Sequence, residues 1–442
     1  MNSTFSGHFG YRRLLRVTLP SIVMMIFTSI YCVTDGFFVS NFAGKAAFTA
    51  VNFIMPYLMI LGCVGFLFGT GGSALIGKTM GEGDRKHADR LFSMVICVTA
   101  LSGLALGVLG IVLLRPVAEL LGAEGELLEN CVRYGRLILI ANPAYVLQFA
   151  FQCLFATAGK PKLGLAVTVA AGVTNMALDA LFVGVFRWGI AGAAVATTLS
   201  QCVGGLFPLL YFLRPNTSKL RLVRTKLELR PILNACGNGS SEMVSNIANA
   251  ITTFVFNTLF MRYRGEDGVA AITIAMYFQF VFTAVYFGFS MGVAPVISYK
   301  FGEKNIPQLR HIFRICITFV LACSLGTYVL SWLTLEPALT LFTPRGSSVY
   351  EIAMHGFPIY AVSFLLMGTS IFASSLFTAL SDGLVSAIIS FSRTLVFLVA
   401  MLLLLPLIWQ ETGIWLAVPV AEALGVMVSV FFLVKGRKKY QY

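Results

Sequence analysis

The sequence predicts an all-α membrane protein of twelve transmembrane helices, arranged as two pseudo-symmetric six-helix lobes around a central cavity. Three observations predict it: hydropathy, the sidedness of the basic residues, and an internal repeat. Of 442 residues, 57% are hydrophobic and only 12% are charged, with a mean hydropathy of +0.84. A water-soluble domain carries about 25% charged residues, so the coat around most of this chain must be lipid.

Runs long enough to cross a hydrocarbon core of about 30 Å fall at 17–40, 48–77, 91–114, 134–157, 163–186 and 189–213. Six more follow at 232–261, 268–298, 312–335, 352–379, 383–408 and 412–434. The first run lacks a small-residue cleavage site and is expected to be retained as a helix. A basic stretch, 214–231, separates the two sets. The expected division is an N-terminal lobe 1–216, a linker 217–231 and a C-terminal lobe 232–442.

Basic residues then give the spans a direction. Of the 32 Lys and Arg, 23 fall on the side of the N-terminus and 8 on the other, with Arg393 inside a span. The positive-inside rule places both termini in the cytoplasm, which requires an even number of spans. The net charge of +13 is thereby a topology signal, and no nucleic-acid partner is expected. Nine cysteines form no CxxC pair, and four histidines form no HExxH, so neither a disulfide framework nor a metal or other cofactor is expected.

The third observation is a repeat at an offset near 221. Met80-Gly81-Glu82-Gly83-Asp84 after the second span corresponds to Phe301-Gly302-Glu303-Lys304-Asn305 after the eighth. Gly71 to Ile76 corresponds to Gly292 to Ile297, Leu154-Phe155 to Leu376-Phe377, and Gly189-Ile190 to Gly413-Ile414. Six spans per repeat is an even number, so the repeats are parallel and related by an axis along the membrane normal. Such a duplication favours a transporter over a channel or a receptor.

Ionisable groups in the spans are costly, about 2.5–3.5 kcal/mol each at the bilayer centre, and point to function. The first span carries Tyr31 and Asp35; the fifth carries Asn175 and Asp179; the sixth carries Thr197, Thr198 and Gln201. Each pair at i, i+4 shares one helix face. If the three helices pack together, their oxygens can hold a proton or a hard cation such as Na⁺ (at Asp35, Asn175, Asp179 and Thr197). The seventh span carries a polar stripe, Asn238, Glu242, Ser245, Asn246, Asn249, Thr253 and Asn257. We expect Glu242, Asn246 and Asn249, with Gln148 and Gln279, to line a substrate cavity. Arg393 and Glu422 are expected to pair with other polar groups.

At these residues the chain resembles the multidrug and toxic compound extrusion (MATE) family, in its bacterial multidrug-export branch. The resemblance rests on Pro20 with Asp35 fifteen residues later, on Gly81-Glu82-Gly83-Asp84, and on Thr174-Asn175 with Asp179. Gly192-Ala193-Ala194-Val195-Ala196-Thr197 and Gly268-Val269-Ala270-Ala271 complete it. It implies export of amphipathic, cationic compounds by alternating access, in exchange for H⁺ or Na⁺. It implies a cation site similar to Tyr31, Asp35, Asn175, Asp179 and Thr197, a helix-kink proline at Pro20, and a carboxyl-lobe acid at Glu242. The tenth-span acid that usually partners it is absent, since 352–379 holds no Asp or Glu. A multi-pass protein of the bacterial plasma membrane is implied, acting as a monomer among membrane lipids. The alternative is a flippase for a lipid-linked envelope precursor, which would need a cationic cavity. No Walker A motif and no nucleophile–base set is present, so neither ATP-driven transport nor an enzyme is expected.

Overall fold

A computed structural model describes residues 7–38, 42–43 and 45–442; the side chains of 32, 33, 35–38, 45, 48, 341 and 342 also lie outside the described residues. Eight described helices are long and apolar enough to cross a membrane, and two bent helix pairs add a span each. Two of the eight are double. Leu229–Gly302 reverses at Gly265 (φ 65°, ψ −152°), and Leu398–Tyr440 at Gln410 (φ 50°, ψ −127°). A straight helix of 74 residues would reach about 110 Å, several bilayer cores in length, so each break is a turn between two spans. The result is twelve.

In order, the N-terminal spans are Tyr11–Phe38; Lys45–Gly62 with Val64–Gly81; Arg85–Leu120; Gly125–Ile140 with Asn142–Thr157; Pro161–Asp179 with its π-turn Ala180–Val185; and Gly189–Leu213. The C-terminal lobe repeats this with 229–264, 266–302, Ile306–Phe342, Ser348–Ala361 with Ser363–Ala379, 383–409 and 411–440. Most helices overrun the apolar stretches because polar ends such as Arg12, Arg13 and Arg16 stay helical beyond the hydrocarbon. Helices satisfy their own backbone groups, the condition for crossing lipid. Span 3 shows its lipid face plainly: Leu101, Leu104, Val108 and Val112 are 52–67% exposed.

The repeat extends to the irregularities. Span 4 bends by 60° at Ala141 and span 10 by 45° at Val362, positions again 221 apart. In span 4 Pro143 begins the second half-helix, where its missing N–H and its ring oppose continuation. The Asn142 amide donates to the Gly103 carbonyl of span 3 at 2.8 Å and holds the bend against its neighbour.

Both termini lie on one face, which we call the basic face. There the Phe9 N–H donates to Gln308 Oε1 at 2.8 Å and the Arg310 guanidinium to the Gln441 carbonyl at 2.6 Å. Residues 219–228 run non-helically over the N-terminal lobe. The Arg221 N–H bonds Asp89 at 2.9 Å and the Val223 N–H bonds the Ser93 hydroxyl at 2.8 Å.

Apolar packing divides unequally between the faces. Toward the basic face one core joins the lobes, with Phe9, Ile22, Phe68 and Ile76 in contact with Phe289, Val293, Ile297 and Phe372 as one cluster. Toward the far face the cores are separate. One is built from Ala47 to Ala194 alone and the other from Phe256 to Val418 alone. The lobes therefore meet at the basic face and diverge toward the far one.

The joint is backbone against backbone. A methyl group on Gly81 would overlap the Tyr299 carbonyl oxygen, and one on Gly302 would overlap the Lys78 carbonyl oxygen. Both pairs are related by the 221-residue offset, so the pseudo-two-fold axis passes between them. Gly71 and Gly239 approach each other in the same way, and Gly292 sits 2.9 Å from Thr18 Cα by the position of an added Cβ.

Two predictions follow from this face. Gly302→Val should cost the closed joint about 1–3 kcal/mol through overpacking. It should lengthen the distance between spin labels at Lys86 and Lys304, measured by electron paramagnetic resonance.

The second concerns the tail. Asp382 in the turn after span 10 accepts from the Tyr440 hydroxyl at 2.5 Å and the Lys439 ammonium at 3.1 Å. Partial burial pushes its carboxyl up, but these donors, the lysine charge and the Val385 N–H hold it net below its ordinary value. A depressed carboxyl pKa stabilises the docked tail above the ordinary value near 3.9, and that stabilisation is lost as pH falls through the lowered one. Amide exchange over residues 437–442 should therefore stay slow down to about pH 4 and accelerate below it. In Asp382→Asn it should be fast throughout.

Candidate functional site

Spans 1, 5 and 6 pack together as the polar residues require. Span 1 lies along span 5, where the Phe27 and Tyr31 rings fill the notch left by Gly172. Across the next interface the Asn175 amide donates to Thr197 Oγ1 at 3.5 Å. Asn175 is 1% exposed and Asp179, one turn on, is fully buried. Asn175 Oδ1 has no hydrogen-bond partner among the described residues. The π-turn Ala180–Val185 begins directly after Asp179; such local rewinding is common at functional sites. Tyr31, Asn175, Asp179 and Thr197 thus share one region of the N-terminal lobe. The side chain of Asp35 lies outside the described residues. Thr198 turns away, donating to the Leu137 carbonyl of span 4 at 3.1 Å.

Below this cluster lies a belt of buried amides. Gln148 (5% exposed) rests on Gly204 of span 6, and Gln152 (4%) and Gln201 (6%) lie within a turn of it. Gln148 Oε1, Gln201 Oε1 and both amide atoms of Gln152 have no partner among the described residues. Orphaned buried groups are rare in folded proteins and mark places where water or ligand completes the bonding. Gln148 therefore faces the interior of one lobe rather than the space between the two.

Glu242 lies between the lobes. Its cavity is lined by Thr70, Ser73 and Cys153 from the N-terminal lobe and by Phe287, Ser290 and Thr378 among others from the C-terminal lobe. Among the described residues no Lys or Arg lines it. The cavity holds about 30 Å³, enough for water, whereas drug-sized ligands need about 300–1,000 Å³. It must widen before it can hold such a ligand. One turn on, the Asn246 amide donates to the Glu242 carbonyl at 2.8 Å, and Asn249 is exposed. Gln279 lies away from this cavity, accepting from the buried Tyr360 hydroxyl inside the C-terminal lobe.

A set of hydroxyls beside Glu242 escaped the sequence reading. Ser374 bonds Ser386 at 2.9 Å and Ser390 at 2.8 Å, and Ser386 bonds Thr378 at 2.8 Å. Thr378 belongs to the Glu242 cavity wall, so the chain of hydroxyls leads from that wall into spans 10 and 11. The spacing Ser374/Thr378 and Ser386/Ser390, each i, i+4, was the available signal. Pro20 is buried beside the inter-lobe joint, where Thr18, Ser21 and Ile22 meet Gly288 and Gly292 of span 8.

The duplication is matched by family. The MatE family model matches residues 20–181 and again 242–403. The chain belongs to the MatE family. Among its relatives is the multidrug export protein MepA of Staphylococcus saprophyticus, 24% identical over 96% of this chain and 94% of that one. The namesake from Staphylococcus haemolyticus is 22% identical over 97% and 94%. Among solved structures, a MATE protein in complex with MaD3S superposes with a TM-score of 0.92 at 20% identity, covering 100% of this chain and 99% of that one. An outward-facing MATE transporter of the MOP superfamily gives 0.88 at 21%, with the same coverage. This MatE chain is accordingly a multi-pass membrane transporter of two six-helix lobes.

Its C-terminal lobe differs from the N-terminal one in charge. Arg393, in the π-turn Ser392–Phe397 of span 11, places Nε 3.0 and 2.9 Å from the two carboxylate oxygens of Glu422 on span 12. Their side chains are 12% and 7% exposed, and the arginine stem lies over Gly425. Removing one member of a buried pair strands the other, at about 3–5 kcal/mol, whereas replacing both is nearly neutral. Arg393→Met should lower the thermal midpoint in detergent sharply, and Arg393→Met with Glu422→Met should recover most of the loss.

Proposed function

We propose that this protein is a secondary active antiporter that exports amphipathic cations in exchange for H⁺ or Na⁺ by alternating access. One observation carries the reading. A fully buried acid, Asp179, stands beside an Asn175–Thr197 contact on the span that packs against Tyr31 and the helix bearing Asp35. A carboxyl in such surroundings is cheap to carry when protonated or cation-bound and costly when bare. Ion occupancy there changes how spans 1, 5 and 6 pack, and span 1 is also the helix whose Thr18–Ile22 segment touches span 8 of the other lobe. Coupling through one shared helix links the ion site to the joint. Tyr31, Asp35, Asn175, Asp179 and Thr197 form the coupling site, and Glu242 with Asn246 contacts substrate between the lobes.

The basic face is read as cytoplasmic on the positive-inside rule, in a bacterial plasma membrane as for the staphylococcal multidrug exporters. The lobes then diverge outward, and the narrow Glu242 cavity is the inward end of the transport path. The charge of that cavity favours cations over the phosphates of lipid-linked sugars. Among the described residues Glu242 is its sole ionisable carboxylate, and no basic residue lines it.

Reconstituted protein, loaded with a fluorescent organic cation, tests the reading under separately imposed pH and Na⁺ gradients. Asp179→Asn and Asp35→Asn should each reduce gradient-driven efflux by about tenfold or more, within the range of site-to-site coupling. Undiminished efflux in both would sink the assignment of the coupling site. Glu242→Gln should weaken transport of cations while sparing neutral amphipaths.

A further inference from the structure

On the basic face, a second cavity of about 310 Å³ lies between the lobes, with Asn238 in its wall one turn before Glu242 on span 7. Lys78 of the N-terminal lobe forms one wall; Asn234, Gly237 and Asn238 of span 7, with Ser381 and Gly383 of the span 10–11 turn, form the other. Its polar groups are donors. The Asn238 side chain is 6% exposed and its Oδ1 accepts from the Gly383 N–H at 3.1 Å, which fixes the amide orientation. The NH₂ group of that amide is left without a partner among the described residues, as is the Ser381 hydroxyl. Lys78 supplies the one charge. The neighbouring carboxylate, Asp382, does not line the cavity, and its oxygens are engaged by Val385, Lys439 and Tyr440. The outer rim is apolar and open, with Leu233 58% and Leu384 73% exposed.

We propose that this cavity binds a phosphate-bearing anion, the head group of an acidic phospholipid or a free phosphate, and that its occupancy favours the conformation closed at the basic face. An ammonium, an oriented amide and a hydroxyl around a space of this size match the oxygens of a phosphate, and the leucine rim matches an acyl chain. The donors come from both lobes. An anion held between Lys78 and Asn238 bridges the joint, and it loses one set of contacts when the lobes part. A ligand that binds one state better shifts the population toward it by that difference.

Gly237 offers a test that leaves the donors in place, because a Cβ there meets nothing within 4 Å. A larger side chain at 237 therefore starts from open space on the cavity wall and is expected to occlude it. The full-length protein in neutral detergent is given phosphatidylglycerol, phosphatidylcholine or inorganic phosphate, and retained ligand is counted by native mass spectrometry. Wild type should retain phosphatidylglycerol over phosphatidylcholine. Lys78→Gln should retain about fivefold less, the order expected for one lysine at a lipid head group. Gly237→Leu should also lose it, and Lys78→Arg should keep it. If inorganic phosphate displaces the lipid and protects the protein equally against heating, the head group alone is recognised and a free anion is an equal occupant. Equal retention of phosphatidylglycerol in wild type, Lys78→Gln and Gly237→Leu overturns the proposal, as does equal retention of the two lipids by wild type. Unfolding curves of each variant separate loss of the site from loss of the fold, and Gly237→Leu decides the matter if Lys78→Gln is unstable.

Discussion

The contact on which the rest of the molecule depends is the backbone joint between the lobes at the basic face. Gly81 against the Tyr299 carbonyl and Gly302 against the Lys78 carbonyl bring the main chains of spans 2 and 8 closer than any side chain permits. Without a hydrophobic driving force inside lipid, helices associate through close van der Waals fit, and small residues allow it. The joint lies toward one end of the molecule. Beyond it each lobe keeps its own apolar core, so any parting of the lobes must open these contacts and the apolar core shared around them. A packed interface of this kind is bistable rather than gradually deformable.

The same two-fold relation makes the chemical differences between the lobes informative. The N-terminal lobe holds the buried acid Asp179, and beside it Asn175 and three glutamines with unmet hydrogen-bonding capacity among the described residues. The corresponding spans 11 and 12 of the C-terminal lobe instead hold an arginine already bonded to a glutamate. On the proposed function, the first lobe would receive a cation from outside, whereas the second carries its own. Duplication supplied the scaffold twice, and the buried charges assign the two copies different tasks.

Much of this was legible in the sequence, for identifiable reasons. Lipid imposes a period and a length that composition cannot hide, which is why the twelve runs, the sidedness of Lys and Arg, and the 221-residue repeat all survive in the fold. The helix faces of Asn175/Asp179 and of Glu242/Asn246 followed from i, i+4 spacing. Spacing along one helix says nothing about which neighbour a face meets. Thr198, adjacent to Thr197, bonds span 4 because successive residues point about 100° apart. Gln279 is held by Tyr360 inside one lobe, a contact 81 residues away that no local pattern encodes. The bends at Ala141 and Val362 and the π-turns after Asp179 and at Arg393 also escaped, since they depend on how a neighbouring helix meets freed backbone groups.

These irregularities bear on how ion occupancy reaches the joint. A regular helix moves as a rigid rod and resists local bending, because its hydrogen-bond ladder holds each turn to the next. Span 5 is regular up to Asp179 and rewound just after it, so the carboxyl sits where the helix is least constrained and a change in its charge is easiest to express as movement. Span 1 packs along this region through Phe27 and Tyr31 and meets Gly288 and Gly292 of span 8 through Thr18, Ser21 and Ile22, with the buried Pro20 inside that contact segment. Proline removes a hydrogen bond from the ladder, so span 1 has its weak point where it meets the other lobe. A helix packed firmly in one lobe and weakened where it meets the other can bend at that contact. In the proposed mechanism, that bend is the route by which an ion bound in one lobe would bias whether the two lobes touch.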